Sequence, residues 1–410
     1  MNKKTKKIIF LSGGFLLALI LAGVAFFFFS GREGERRPSF PFFPETPAPG
    51  GGGGFSEGGG EFVPKGFSPL PRLFKITGTP VAGAVILADD EGNTERVRFM
   101  ERATGKVFDY DVKTGDTKRV TNTTIPKVHE ALWAPDGEKA IVRYLDDDNE
   151  SIVTFSGRVV EGSVSAEGRM EGVFLPRNIR EIAVSPDGKE VFYFSPENRK
   201  AGIMANFDGE NAREVFSFPF SEWRVLWGEE SGIALLTKPS RFVRGYVYSL
   251  DPVRGTLQKI FGGMLGLSAR AGKDKMLLGG LVGGDILLFV EDAKTGDVDI
   301  LPFSTPAEKC AAGSGAFVFC AVSESLPDGY PDEWYKGKVF FDDIIAAAFP
   351  GEEFVYVYAD PEEEAGEKVD AVNLTLSEDE NYLIFTNKRD GSLWGVYVGT
   401  DDVPISTPRE

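Results

Sequence analysis

The chain has 410 residues, 42% hydrophobic and 26% charged, enough for two or more ordinary domains or one large repeat domain. One His and two Cys exclude zinc held by four such side chains, and they leave His129 as the only histidine for any His-dependent chemistry. Seven Lys and Arg against two Glu give the first 37 residues a charge of +5, so of the total of −17 the remainder carries −22. A body this acidic repels phosphate backbones, and no nucleic-acid partner is expected.

Residues 1–29 form a basic flank and a transmembrane helix in this reading. Ile8 to Phe29 carries no charge, and four lysines precede it. As a helix this run is about 33 Å long, enough to cross a hydrocarbon core of about 30 Å. The lysines place Met1 in the cytoplasm and the rest of the chain outside, in the cell envelope. Gly23-Val24-Ala25 has the small residues of a cleavage site, but Phe26 to Phe29 continue the apolar run, which favours an uncleaved signal anchor.

Residues 30–69 read as a disordered linker, with eleven Gly and seven Pro in 40 positions. Its phenylalanines, Phe40, Phe42, Phe43, Phe55, Phe62 and Phe67, are unusual in a solvated spacer.

From residue 70 to 410 the texture is strand and turn. Short apolar or alternating runs such as Val81 to Leu87, Ala140 to Tyr144, Val191 to Phe194, Ile233 to Thr237 and Tyr382 to Thr386 are separated by Gly, Asp, Pro and Asn. One turn type precedes an aromatic-rich strand, at Pro135-Asp136-Gly137, Pro186-Asp187-Gly188 and Glu378-Asp379-Glu380. A second type joins two later strands, at Thr114-Gly115-Asp116, Asp208-Gly209-Glu210, Arg254-Gly255-Thr256, Thr295-Gly296-Asp297 and Pro350-Gly351-Glu352.

The two turn series interleave with a period near 45 residues. Four strands in such a period is the pattern of a β-propeller blade. The expected fold is therefore all-β, a propeller of four-stranded blades, seven being the natural count and six or eight the alternatives. Arg72 to Thr77 resembles an outer strand standing ahead of the first blade, while the last repeat lacks a clear fourth strand. The two are expected to pair and clasp the chain ends together.

Ser185-Pro186-Asp187-Gly188-Lys189, with Glu190 to Phe194 behind it, resembles the repeat of TolB-like and WD-like β-propellers, and Trp133-Ala134-Pro135-Asp136-Gly137 is similar. The Gly-His and Trp-Asp pairs of true WD repeats are absent, so the TolB-like likeness is the better one. The whole chain also resembles membrane-anchored propeller proteins of small-genome bacteria. That resemblance implies a location and a protein-interaction platform, and it names no activity.

Candidate sites are few. Cys310 and Cys320 flank Gly313-Ser314-Gly315, and a hairpin there would set them face to face for a disulfide. The loop Ser325 to Lys338 gathers Tyr330, Trp334 and Tyr335, as an interaction surface or as a plug for the protein's own surface. His129 beside Glu130 reads as a structural histidine. Asp146 to Glu150 and Asp360 to Glu364 read as solvated acidic tips without calcium-loop spacing. The body holds no Gly-x-Ser-x-Gly, so no hydrolase nucleophile elbow accompanies the repeats.

The functional expectation is a membrane-tethered scaffold or receptor that binds an envelope protein. It has no cofactor, no metal, no catalytic residue and no enzymatic activity. The alternative is a ligand- or glycan-binding propeller with an acidic site in its central channel, where two carboxylates about 5–10 Å apart could do chemistry.

Overall fold

The computed structural model describes residues 71–399, apart from 163–166, 199, 220–221, 314 and 316. The expected anchor at Ile8–Phe29 and the linker 30–69 lie outside the described residues. Among the described residues no helix is long and apolar enough to cross a membrane.

The described chain is β-structure with antiparallel pairing throughout. After β1 (Leu73–Thr77), the first sheet holds β2 (Val81–Ala88), β3 (Thr94–Glu101), β4 (Val107–Asp111) and β5 (Thr117–Arg119). The second holds β6 (Val128–Trp133), β7 (Lys139–Leu145), β8 (Ile152–Val160) and β9 (Arg169–Phe174). The third holds β10 (Ile182–Val184), β11 (Glu190–Phe194), β12 (Ala201–Asn206) and β13 (Arg213–Ser217).

A seven-stranded sheet follows: β14 (Trp223–Gly228), β15 (Gly232–Thr237), β16 (Arg244–Asp251), β17 (Thr256–Ala271), β18 (Lys275–Val282), β19 (Asp285–Asp292) and β20 (Val298–Leu301). The next sheet holds β21 (Cys310–Ala312), β22 (Val318–Val322), β23 (Ile344–Ala348) and β24 (Tyr356–Ala359). The last holds β25 (Ala371–Leu376), β26 (Tyr382–Asn387) and β27 (Leu393–Tyr397), with β1 as its fourth strand. Two short α-helices interrupt the pattern, α1 (Asp332–Tyr335) and α2 (Pro361–Ala365), with a 3-10 turn at Ala307–Lys309 ahead of β21.

The sheets are joined as a ring. The first strand of each touches the first strand of the next from β2 through β6, β10, β14 and β17; the short 307–309 turn ahead of β21 links β17 to β25, β21 touches β25, and β25 returns to β2. This is a β-propeller, with apolar side chains packed between successive sheets. The clasp is real in register: Leu73 pairs with Val396, Phe74 with Gly395 and Lys75 with Trp394. Phe74 then stacks on Tyr110 of the first sheet at 5.9 Å between centroids, and Thr94 of the first sheet bonds Asp379 of the last.

The recurring turns have a common physical cause. In the Ser-x-Asp turns, the Ser185 hydroxyl accepts the backbone N–H of Lys189 and Glu190 and bonds Asp187. Ser377 repeats this with Asp379 and Tyr382. In the second turn type, Asp111, Asp251 and Asp292 each accept the backbone N–H groups two and three residues on. The very next residue is a glycine at positive φ, Gly115, Gly255 or Gly296, which carries the chain back without a Cβ clash.

Two features depart from the regular repeat. β17 runs for 16 residues, and its first half pairs with β16 while its second half pairs with β18. Between β22 and β23, residues 323–343 form an insertion that carries α1.

Candidate interaction face and axial cluster

The insertion folds inward. Trp334 is only 2% exposed, and with Tyr330, Phe341 and Ile286 it forms a separate apolar cluster. Its indole N–H donates to Asp370 Oδ2 at 2.7 Å, and Lys388 donates to the Trp334 carbonyl at 2.7 Å while lying 3.5 Å from the ring centroid. Burial pulls the Lys388 amine down to about 8.

Tyr330, Trp334 and Tyr335 therefore do not make the exposed aromatic contact loop expected as one reading. Tyr330 and Trp334 are buried and Tyr335 is half-buried. The physical reason is that Asp370 supplies an acceptor for the indole N–H, so the ring can be buried without a polar cost.

Beneath Trp334 sits a fully buried ion cluster that sequence reading missed. Lys309 donates to Asp343 Oδ2 at 2.6 Å, to Asp370 Oδ1 and to the Ala371 carbonyl at 3.1 Å. All three ammonium protons are thus placed. Asp343 Oδ2 also accepts the Ala371 N–H, while its Oδ1 has no partner among the described residues. Burial lifts the Asp343 carboxyl to about 6, although Lys309 draws it down. Each residue stands in an ordinary local string, so only the fold brings them together.

The insertion spans the end of the ring. Asp332 accepts the N–H of Arg241 at 3.0 Å and bonds the Ser240 hydroxyl, both in the β15–β16 loop. Tyr335 lies 3.5 Å from Arg224 on β14, and Arg224 is paired with Glu308. Arg270 on β17 donates to the carbonyls of Glu308 and Leu374. Glu181, just before β10, faces Arg224, and burial raises its carboxyl despite that cation.

First strands and their lead-in residues on several sheets thus bring two glutamates and two arginines towards the ring axis. Arg224 remains 35% exposed. A raised carboxyl beside a guanidinium can hold or release a proton against a bound polar ligand.

Three apolar side chains at the same end have no cover. Phe242 is 80% exposed and Val243 66% exposed, and Val282 lies at the tip of the β18–β19 hairpin. Arg244 pairs with Leu265 and Leu265 with Leu281, so Val243 and Val282 sit at one end of three adjacent strands, about 10 Å apart. The backbone beneath Phe242 is tied down by Ser240 and Arg241, which gives the exposed ring a fixed base.

The remaining expectations fall as follows. Cys310 and Cys320 are directly opposed on β21 and β22 and joined by a disulfide, with Cα atoms 4.0 Å apart. His129 is half-buried and pushed below its usual range, first by burial and then by Arg143. Glu130 pairs with Arg143 rather than with His129. Asp148 closes its own turn, accepting from Glu150, Ser151 N–H and the Ser151 hydroxyl, which takes it down to about 2. Asp360 caps α2 rather than ending a hairpin. Among the described residues no group of three or more His, Cys, Asp or Glu is placed to hold a metal.

No protein-family model and no curated protein matches the chain. Among solved structures, an oligogalacturonate lyase in complex with manganese is 10% identical, over 80% of this chain and 93% of that one, with a TM-score of 0.48. The β-propeller domain of the Trilobed protease from Pyrococcus furiosus, described by its open velcro topology, is 10% identical. That match covers 77% of this chain and 95% of the other, with a TM-score of 0.49. At such identity the likeness concerns the fold alone. It does correct one expectation. A non-catalytic protein was inferred from the missing nucleophile motifs, yet one of these similar propellers is an enzyme, so the enzyme status of this chain stays open.

Proposed function

We propose that the protein is a seven-bladed propeller, held to a membrane by Ile8–Phe29, that binds another protein of the cell envelope. The seven-blade count rests on dividing β17, whose first half completes one set of four strands and whose second half opens the next. The observation that carries the binding reading is the uncovered Phe242, Val243 and Val282 on an otherwise tied-down end of the ring. A photocrosslinking residue at Phe242, in intact cells, is expected to trap a defined protein. The same residue at Val253, 88% exposed in a turn at the opposite end of these strands, is expected not to trap it. Equal trapping at both positions, or none at Phe242, rejects this face.

A second reading places a small polar ligand at the axis, favoured by the raised Glu181 carboxyl beside Arg224. It differs from the acidic channel expected from sequence, because Arg224 and Arg270 balance Glu181 and Glu308. Glu181→Gln would abolish any pH dependence of ligand binding there and leave protein trapping at Phe242 intact.

A further inference from the structure

We propose that a separate groove, between the second and third sheets, binds an extended acidic peptide segment by strand addition to β9. The groove has a volume of about 560 Å³. It lies at the turn end opposite to Phe242, and it is independent of the face proposed above.

One wall is a face of the second sheet. Lys139 pairs with Arg158, Arg158 with Glu171 and Ser156 with Val173, so these side chains share that face. The facing wall is the Phe207–Asp208 turn of the third sheet, held by a 2.7 Å bond from the Ser156 hydroxyl to the Phe207 carbonyl. Lys139 lies 5.1 Å from the Phe207 ring and donates to the Gly188 carbonyl at 3.0 Å.

The charge here opposes that of the body. Lys139, Arg158 and Lys189 line the groove. Among the described residues, Lys189 pairs with Asp187 and neither Lys139 nor Arg158 has an acidic partner. Glu171 is taken by Arg169, and Asp208 closes its own turn. Two cations without a carboxylate partner among the described residues, in a body of −22, mark a local preference for a carboxylate.

The free edge of β9 supplies the second half of the argument. Met170 N–H points outward to Thr123 Oγ1, whereas Leu175 N–H points inward to Thr154. By alternation the backbone groups of Gly172 and Phe174 also point outward, and they have no partner among the described residues. Phe174 and Val173 are exposed. An added strand would therefore find open N–H and C=O groups, the exposed Phe174 side chain on one face, and Arg158 beside Val173 on the groove face. A chain alternating carboxylate and apolar side chains satisfies all three.

The test uses the full chain and three labelled synthetic peptides: alternating Glu and Val with one Phe, the same with Lys for Glu, and the same with Gly and Ser for the apolar residues. Fluorescence anisotropy is expected to show binding of the first alone. Arg158→Glu and, separately, Phe174→Ser are each expected to weaken it at least tenfold, with melting temperature and circular dichroism unchanged. Either variant suffices should the other disturb folding. Binding of the Lys peptide, equal binding of the Gly-Ser peptide, no binding, or unchanged affinity in a folded variant overturns the proposal. Trapping at Phe242 that persists in Arg158→Glu leaves the first face standing whatever happens here.

Discussion

Trp334 and Asp370 are joined by a 2.7 Å bond from the indole N–H to the carboxylate, and that bond fixes the insertion to the strand end at β25. Asp370 also holds Lys309 and the Phe341 N–H. One carboxylate thus satisfies a buried cation, a buried indole and a backbone donor. Asp370→Ala leaves Lys309 with Asp343 as its one carboxylate and orphans the indole, and the expected loss is about 3–5 kcal/mol. Trp334→Phe keeps the ring's bulk and loses only the bond, so about 1.5–3 kcal/mol is expected. Urea unfolding of the two variants checks both the size and the order.

The Asp343 carboxyl, raised to about 6 by burial, gives a pH signature. Its unfolded value is near 4. Between pH 4 and pH 6 the folded state holds a proton that the unfolded state has released, so this group's contribution is present below pH 4 and is lost as pH rises through 6. Asp343→Asn lacks that titration. The stability of wild type minus variant is expected to fall from pH 4 to pH 6 and to level off above it, as read by denaturant midpoints across that range. A difference that rises over the same window contradicts the assignment. Lys309 faces the group at 2.6 Å, and Asp370 shares the same ammonium.

The fold was legible from sequence because its turns are self-contained. Ser185 with Asp187, and Asp111 or Asp292 with the N–H groups just after them, complete their hydrogen bonds within five residues. Local chemistry of that kind leaves a local signature, and β1 could be assigned to the last sheet because Arg72 to Thr77 resembles the outer strands of other repeats. The Lys309, Asp343 and Asp370 cluster left none, since its members are 34 and 61 positions apart from Lys309 and meet only when the insertion closes. Tyr330 and Trp334 read equally well as surface or core, and the acceptor that buries Trp334 lies 36 residues away.

The disulfide closes a short loop, with a sequence separation of 10. Loop-closure entropy for that length gives about 2.5–3 kcal/mol. The double substitution of Cys310 and Cys320 by Ser is expected to lower stability by about that amount. Added reductant is expected to bring wild type to the same midpoint without affecting the variant. A wild-type midpoint that ignores reductant under unfolding conditions contradicts the bridge.

Gly83 on β2 tests how closely the first two sheets approach. A Cβ built there meets the Ala131 carbonyl oxygen of β6 at 2.0 Å, well inside any real contact, and the atom in the way is backbone. The Gly83 carbonyl also accepts the Trp133 indole at 3.3 Å, so neither strand can retreat without breaking a bond. Gly83→Ala is expected to cost about 1–3 kcal/mol through overpacking. Gly78 has nothing within 4 Å of the same built atom, and Gly78→Ala is expected to change stability by no more than about 0.5 kcal/mol. The pair separates a packing clash from a general effect of losing glycine. If both variants lose the same stability, the close approach of β2 to β6 is not what selects glycine at position 83.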